Sequence, residues 1–196
     1  MDWRPVMRLL VLGGTFNPVH FGHLFLAEEV ACEFGYDRVL LVPAFIPPHK
    51  AISVEPGPGV RLEMLKAAVE GELLFSVDGC ELERGGVSYS VETLDRVIET
   101  WAPEGKPGFA IGDDLASGFG SWRNPARICE LADLIVARRG GLAFKLDFPH
   151  RNAGNMILPV SSTDIRARIT SGKPWRRLVP AAVAAYIESH GTYRIA

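Results

Sequence analysis

Five short runs of this chain are apolar at nearly every position, and each leads into a turn and then a stretch of helical periodicity. They cover residues 8–12, 38–42, 73–77, 109–111 and 134–137. A strand with one face in water alternates apolar and polar residues; a run without alternation is buried on both faces. Helical spacing is clearest at 23–34, where Leu24, Ala27, Val30, Ala31 and Phe34 share one face and Gly35 supplies a stop. At 90–101, Val91, Leu94, Val97, Ile98 and Trp101 form a second such face. Further helices are predicted at 60–70, 125–132, 164–171 and 180–189, with a short run at 156–160 before Ser161. The prolines at 43, 47, 48, 56 and 58 mark 43–59 as a long loop, a length that in a compact domain is usually functional. Strands alternating with helices predict a parallel sheet covered on both faces, a doubly wound α/β fold. A chain of 196 residues suits one such domain over 1–196. Ligands of these sheets bind beyond the carboxyl ends of the strands.

The chemically suggestive clusters all follow a strand or open a helix. Gly13 and Gly14 end the first run; there backbone can approach a ligand and free N–H groups can cradle phosphate oxygens. Thr15, Phe16, Asn17 and Pro18 follow, then His20 and His23, three apart at a helix start and so on one face. The positive end of that helix favours an anion, and two imidazoles could donate hydrogen bonds to its oxygens. No Gly-x-Gly-x-x-Gly is present, and Gly172-Lys173 runs into Pro174, so neither a dinucleotide fingerprint nor a Walker loop is available. His49-Lys50, at the end of a proline-stiffened loop, could grip a phosphate. Ser161-Ser162-Thr163-Asp164 reads as a capped helix start, in which Arg166 is misplaced for the macrodipole unless an anion is bound beside it. Gly112-Asp113 closes the fourth run, where a carboxylate can accept from ribose hydroxyls; Trp122 could stack on a flat ring.

Two of these clusters resemble the paired signatures of the nucleotidyltransferase superfamily. Gly13 through His23 is similar to its His-x-Gly-His segment, and Ser161 through Arg166 to its Ser-Ser-Thr-x-Ile-Arg segment. Pro47-Pro48-His49-Lys50, Glu81…Arg84…Ser88-Tyr89-Ser90…Glu92-Thr93-Leu94, Ile111-Gly112-Asp113 with Trp122, and Tyr186-Ile187…His190-Gly191…Tyr193 resemble, in order, the bacterial nicotinate-nucleotide adenylyltransferases. The resemblance implies a Rossmann-like fold and transfer of the adenylyl group of ATP to nicotinic acid mononucleotide, giving deamido-NAD and pyrophosphate in NAD biosynthesis. It implies His20, His23 and Arg166 as catalytic groups. Gly13, Gly14, Thr15, Phe16, Gly112, Asp113, Ser162 and Thr163 would bind ATP. His49, Lys50, Tyr89, Ser90, Thr93 and Trp122 would contact the mononucleotide. Mg²⁺ is implied as a companion of the ATP phosphates, with no protein metal ligands. Asn17 stands where many members have Asp, and Ser90 where Thr is usual.

Composition narrows the classes rather than the reaction. A net charge of −2 leaves no basic field for nucleic acid. No run approaches a membrane span or a secretory h-region, and Cys32, Cys80 and Cys129 are too few and scattered for a disulfide framework. A cytoplasmic enzyme acting on small molecules, compatible with homo-oligomerisation, is the expectation. Three readings compete with it: a superfamily member with another phosphate acceptor, a non-catalytic nucleotide sensor, and a metallohydrolase using His20 and His23.

Overall fold

The computed structural model describes residues 7–47, 56–141 and 143–193. Six strands form one all-parallel sheet: β1 (Leu9–Gly14), β2 (Arg38–Pro43), β3 (Phe75–Val77), β4 (Gly108–Gly112), β5 (Asp133–Ala137) and β6 (Arg151–Asn152). Their order is β3-β2-β1-β4-β5-β6, so the direction of winding reverses between β1 and β4. Around the sheet lie α1 (Phe21–Phe34), α2 (Pro58–Ala68), α3 (Cys80–Arg84), α4 (Ser90–Trp101), α5 (Asp113–Ala116), α6 (Pro125–Leu131), α7 (Ser162–Thr170) and α8 (Ala181–His190).

The unbroken apolar runs are explained by two cores, one on each face. Leu10, Leu12, Val39, Leu41 and Ile135 pack beneath α1, α2, α7 and α8, through Val30, Met64, Ile165 and Val183 among others. Their sequence neighbours Leu9, Val11, Leu40, Val42 and Leu134 point the other way, against Leu94 and Val97 of α4 and Ile128 of α6. Period-two alternation is present, but both phases are buried, as the doubly wound reading requires. Each fully buried Leu or Val contributes on the order of 1.5–3 kcal/mol against the entropy of ordering the chain.

The departures from expectation are local. The helix predicted at 60–70 begins at Pro58, whose fixed φ and missing N–H suit the first helical position. The third strand is only Phe75–Val77, because Leu73 is 87% exposed and lies outside the sheet. The helix expected from 164 begins at Ser162, with the Ser161 hydroxyl accepting from the Asp164 N–H at 3.0 Å. Short α3 and α5 are too brief to show a period, and β6 is an exposed Arg-Asn pair at the sheet edge. No helix among the described residues is long and apolar enough to cross a membrane.

Candidate active site

A cleft of about 790 Å³ opens above the carboxyl ends of β1 and β4, at the point where the winding reverses. Its walls take residues from β1, α1, the Ala44–Pro47 segment, α2, α3, the start of α4, β4, the Trp122 loop, Arg138-Arg139 and the start of α7. Among the described residues five arginines line it, Arg61, Arg123, Arg138, Arg139 and Arg166, against one carboxylate, Glu81. A chain of net charge −2 thus carries a cleft lined by cations, the environment a polyanion seeks.

The floor is the turn from β1 into α1. A Cβ on Gly14 would stand 3.0 Å from the Phe16 ring, whereas one on Gly13 would meet nothing within 4 Å. A side chain at 14 would therefore crowd the Phe16 ring, whereas Gly13 leaves open space beside the backbone. Phe16 has φ +48°, rare for a residue with a side chain, and its ring is buried edge-on to His23, 5.0 Å between centroids. The Asn17–Pro18 peptide is cis.

His20 is the N-cap of α1, and its backbone N–H meets Nδ1 of His23 at 3.3 Å. The two rings stack with centroids 3.7 Å apart and planes at 28°. On its other side the His20 ring lies over Gly22, where a Cβ would stand 3.0 Å from both Cε1 and Nδ1. The glycine between the histidines makes room for an imidazole that is only 2% exposed. Neither ring nitrogen of His20 has a hydrogen-bond partner among the described residues. Burial, reinforced by the positive Arg139, lowers its pKa to about 4, so the ring is neutral at pH 7 and offers one N–H donor. Buried polar atoms left without partners are uncommon, and the residue that carries these lines the cleft.

The second signature reaches the first from the opposite end of the sequence. The Ser162 hydroxyl donates to the Pro18 carbonyl at 2.9 Å. Arg166 donates through Nη1 to the Asn17 carbonyl at 2.7 Å and through Nη2 to the Thr163 hydroxyl at 3.3 Å. The guanidinium's conflict with the positive end of α7 is thus eased by a backbone carbonyl. His20, His23, Ser162, Thr163 and Arg166 all line one cleft, together with Gly13, Gly14, Thr15 and Phe16.

The remaining expected residues divide. Tyr89, Ser90 and Trp122 form a separate wall; Trp122 packs on Phe119 at 5.2 Å, and Arg123 lies 4.5 Å over the Tyr89 ring while pairing with Glu92 at 2.8 Å. Thr93 is buried behind that wall, donating to Glu81 Oε1 at 2.5 Å. Gly112 lines the cleft, but Asp113 is buried beside it: its Oδ1 accepts from the N–H groups of Gly140 at 2.9 Å and Arg139 at 3.2 Å. That carboxylate fastens the loop after β5. His49 and Lys50 lie outside the described residues. Among the described residues no cluster of three or more His, Cys, Asp or Glu side chains is placed to hold a metal ion.

Glu81, Arg61, Arg123, Arg138 and Arg139 were not among the expected site residues, and the first two of these are buried. Glu81, 6% exposed, presents the one carboxylate that the described residues bring to the cleft. Arg61, 4% exposed, donates to the carbonyls of Thr15 at 2.6 Å, Ala44 at 2.7 Å and Phe45 at 3.3 Å, tying the loop after β1 to the loop after β2. The signal for Arg61 was present: like Arg166, it is a cation in the first turn of a helix.

The cytidylyltransferase-like family profile matches residues 11–168. A protein of Borrelia garinii named "probable nicotinate-nucleotide adenylyltransferase" is 39% identical over 188 residues, 95% of each chain. One of the same name from Desulfitobacterium hafniense is 37% identical, covering 97% of this chain and 98% of its own. The Plasmodium falciparum nicotinic acid mononucleotide adenylyltransferase complexed with NaAD shares the fold, with a TM-score of 0.74 at 17% identity over 95% of this chain and 97% of its own.

Proposed function

The chain belongs to the cytidylyltransferase-like family, and from that premise we propose that it transfers the adenylyl group of ATP to nicotinic acid mononucleotide, releasing pyrophosphate and forming deamido-NAD. The observation that carries the reading is the buried, unpartnered His20 imidazole in an arginine-lined cleft at the N-terminus of a 14-residue helix. Those groups suit a polyphosphate. The names of the curated relatives, held over nearly the whole chain, support the acceptor.

The triphosphate rests against the backbone of Gly13 to Phe16, with His20, His23, Ser162, Thr163 and Arg166 directed at its oxygens. Gly112 borders the adenosine, and Asp113 shapes that border through the Arg139-Gly140 backbone. The nicotinate ring lies between Tyr89, Ser90 and Trp122, with Thr93 supporting the wall through Glu81. The proline-rich segment carrying His49 and Lys50 contributes to the acceptor phosphate.

The nucleophile is an oxygen of the acceptor's 5′-phosphate. It forms the new bond to the α-phosphorus of ATP in line as the bond to the β-phosphate bridging oxygen breaks, and pyrophosphate departs with that oxygen. A phosphate monoester with a second pKa near ~6 is already mostly dianionic at pH 7, so no general base is required. The protein's contribution is alignment and stabilisation of charge on the leaving pyrophosphate. Mg²⁺ arrives as part of the substrate, Mg·ATP, held by its own phosphate oxygens and water. The reaction takes place in the cytoplasm, on small molecules.

Pyrophosphate release with Mg·ATP should occur with nicotinic acid mononucleotide and be much slower or absent with phosphopantetheine. Release with phosphopantetheine and not with a pyridine mononucleotide would replace the acceptor, and ATP binding without release under any acceptor would favour a sensor.

A further inference from the structure

The turn that carries the phosphate site is held from behind by a residue at the far end of the chain. Asn17 is 5% exposed, and its side-chain Oδ1 accepts a hydrogen bond from the Tyr193 hydroxyl at 2.6 Å. Its main-chain carbonyl accepts from Arg166 at 2.7 Å, and the carbonyl of Thr15, two residues earlier, accepts from Arg61 at 2.6 Å. Three donors from three distant parts of the sequence therefore fix the residues 15–17. Thr15, Asn17, Arg61 and Arg166 line the cleft; Tyr193 does not, and borders the outer side of the same wall. Tyr193 has φ +67°, a left-handed backbone conformation. Burial holds its phenol well above the usual range, against the opposing charges of Arg166 and Arg61 nearby, so it remains a hydrogen-bond donor throughout neutral pH.

We infer that Tyr193 is a positioning residue of the phosphate site, acting through Asn17 to hold the β1–α1 turn in the shape that receives the triphosphate. The inference rests on the reading that this cleft binds ATP. A turn already held in its binding shape binds more tightly because less ordering remains to be done when the ligand arrives. Loss of one such hydrogen bond should weaken binding about fivefold. The position also accounts for an amide at residue 17: Asn supplies the acceptor oxygen that the phenol needs without placing a negative charge beside the phosphates.

The test is calorimetric titration of Mg·ATP, without acceptor, into the wild-type chain, Tyr193→Phe, Asn17→Ala and the double variant. Tyr193→Phe keeps the ring and its packing and removes only the donor. Each single variant should bind about fivefold more weakly and the double variant no more weakly than the singles, with the melting temperature of Tyr193→Phe within a few degrees of wild type. Wild-type affinity in Tyr193→Phe, or losses that multiply in the double variant, would overturn the inference, because a tyrosine that only anchors the C-terminal segment changes melting and not the coupling to Asn17. A wild-type chain that binds Mg·ATP but shows no pyrophosphate release with pyridine mononucleotides sinks the proposed acceptor, and the titrations still decide the role of Tyr193. Failure of the wild-type chain to bind Mg·ATP overturns both.

Discussion

Replacing His20 by glutamine should make the protein more resistant to acid. In the folded chain the His20 pKa is lowered from 6.5 to about 4, chiefly by burial and secondarily by Arg139. Between those values the unfolded chain takes up a proton that the folded chain refuses, so stability is lost as pH falls through that window and is complete above it. A displacement of this size corresponds to about 3 kcal/mol, of which about 2 kcal/mol should already be lost at pH 5 and nearly all by pH 4. The ring is 2% exposed, so solvent screening does little to reduce the figure. Urea unfolding at pH 7.5, 5 and 4 measures it directly. Wild type should lose about 2 kcal/mol more than His20→Gln between pH 7.5 and 5, while other titrating groups cancel in the comparison. Saturating Mg·ATP should shrink the difference, since phosphate oxygens beside the ring favour the imidazolium. Parallel pH dependence in the two proteins would show that His20 is not desolvated in solution, and the argument for an unpartnered imidazole would fall with it.

Three further outcomes follow from the same geometry. His20→Ala should lower turnover by about 10²–10³ with the fold intact, read by pyrophosphate release beside circular dichroism; near wild-type turnover would remove His20 from the reaction. Gly22→Ala should cut kcat about tenfold, because the new Cβ presses on a ring already backed by His23, while the gain in helix propensity of about 1 kcal/mol offsets the strain; equal losses in kcat and stability would contradict this. Arg61→Lys should destabilise by about 2 kcal/mol and raise the KM for ATP, since one ammonium cannot reach the carbonyls of Thr15, Ala44 and Phe45 together; an unchanged KM would show that the two loops keep their places without it.

Much of this architecture was legible from residue order. The five apolar runs became β1 to β5, and the helix expected at 90–101 is α4 without adjustment. The convergence of the two signatures on one cleft was suggested too, because a glycine pair after a strand and hydroxyls before a helix are local arrangements of donors. Asp113 shows the limit. Its place at a strand end gave no hint that one carboxylate oxygen accepts from N–H groups 26 and 27 residues downstream. β6 was missed because an exposed edge pair has no apolar pattern to display.

Periodicity and caps depend on neighbours within a few positions, and they are why the order of residues alone dictated β1 to β5, the longer helices and two helix starts rich in hydrogen-bond donors. Which of those starts face each other was decided by the packing of both cores on the sheet. That packing brings Arg166 to Asn17 across 149 residues and Tyr193 to Asn17 across 176. It also buries His20 beneath them and lowers its pKa, because desolvation is a property of what surrounds a side chain in space and leaves no mark on the residues beside it in sequence.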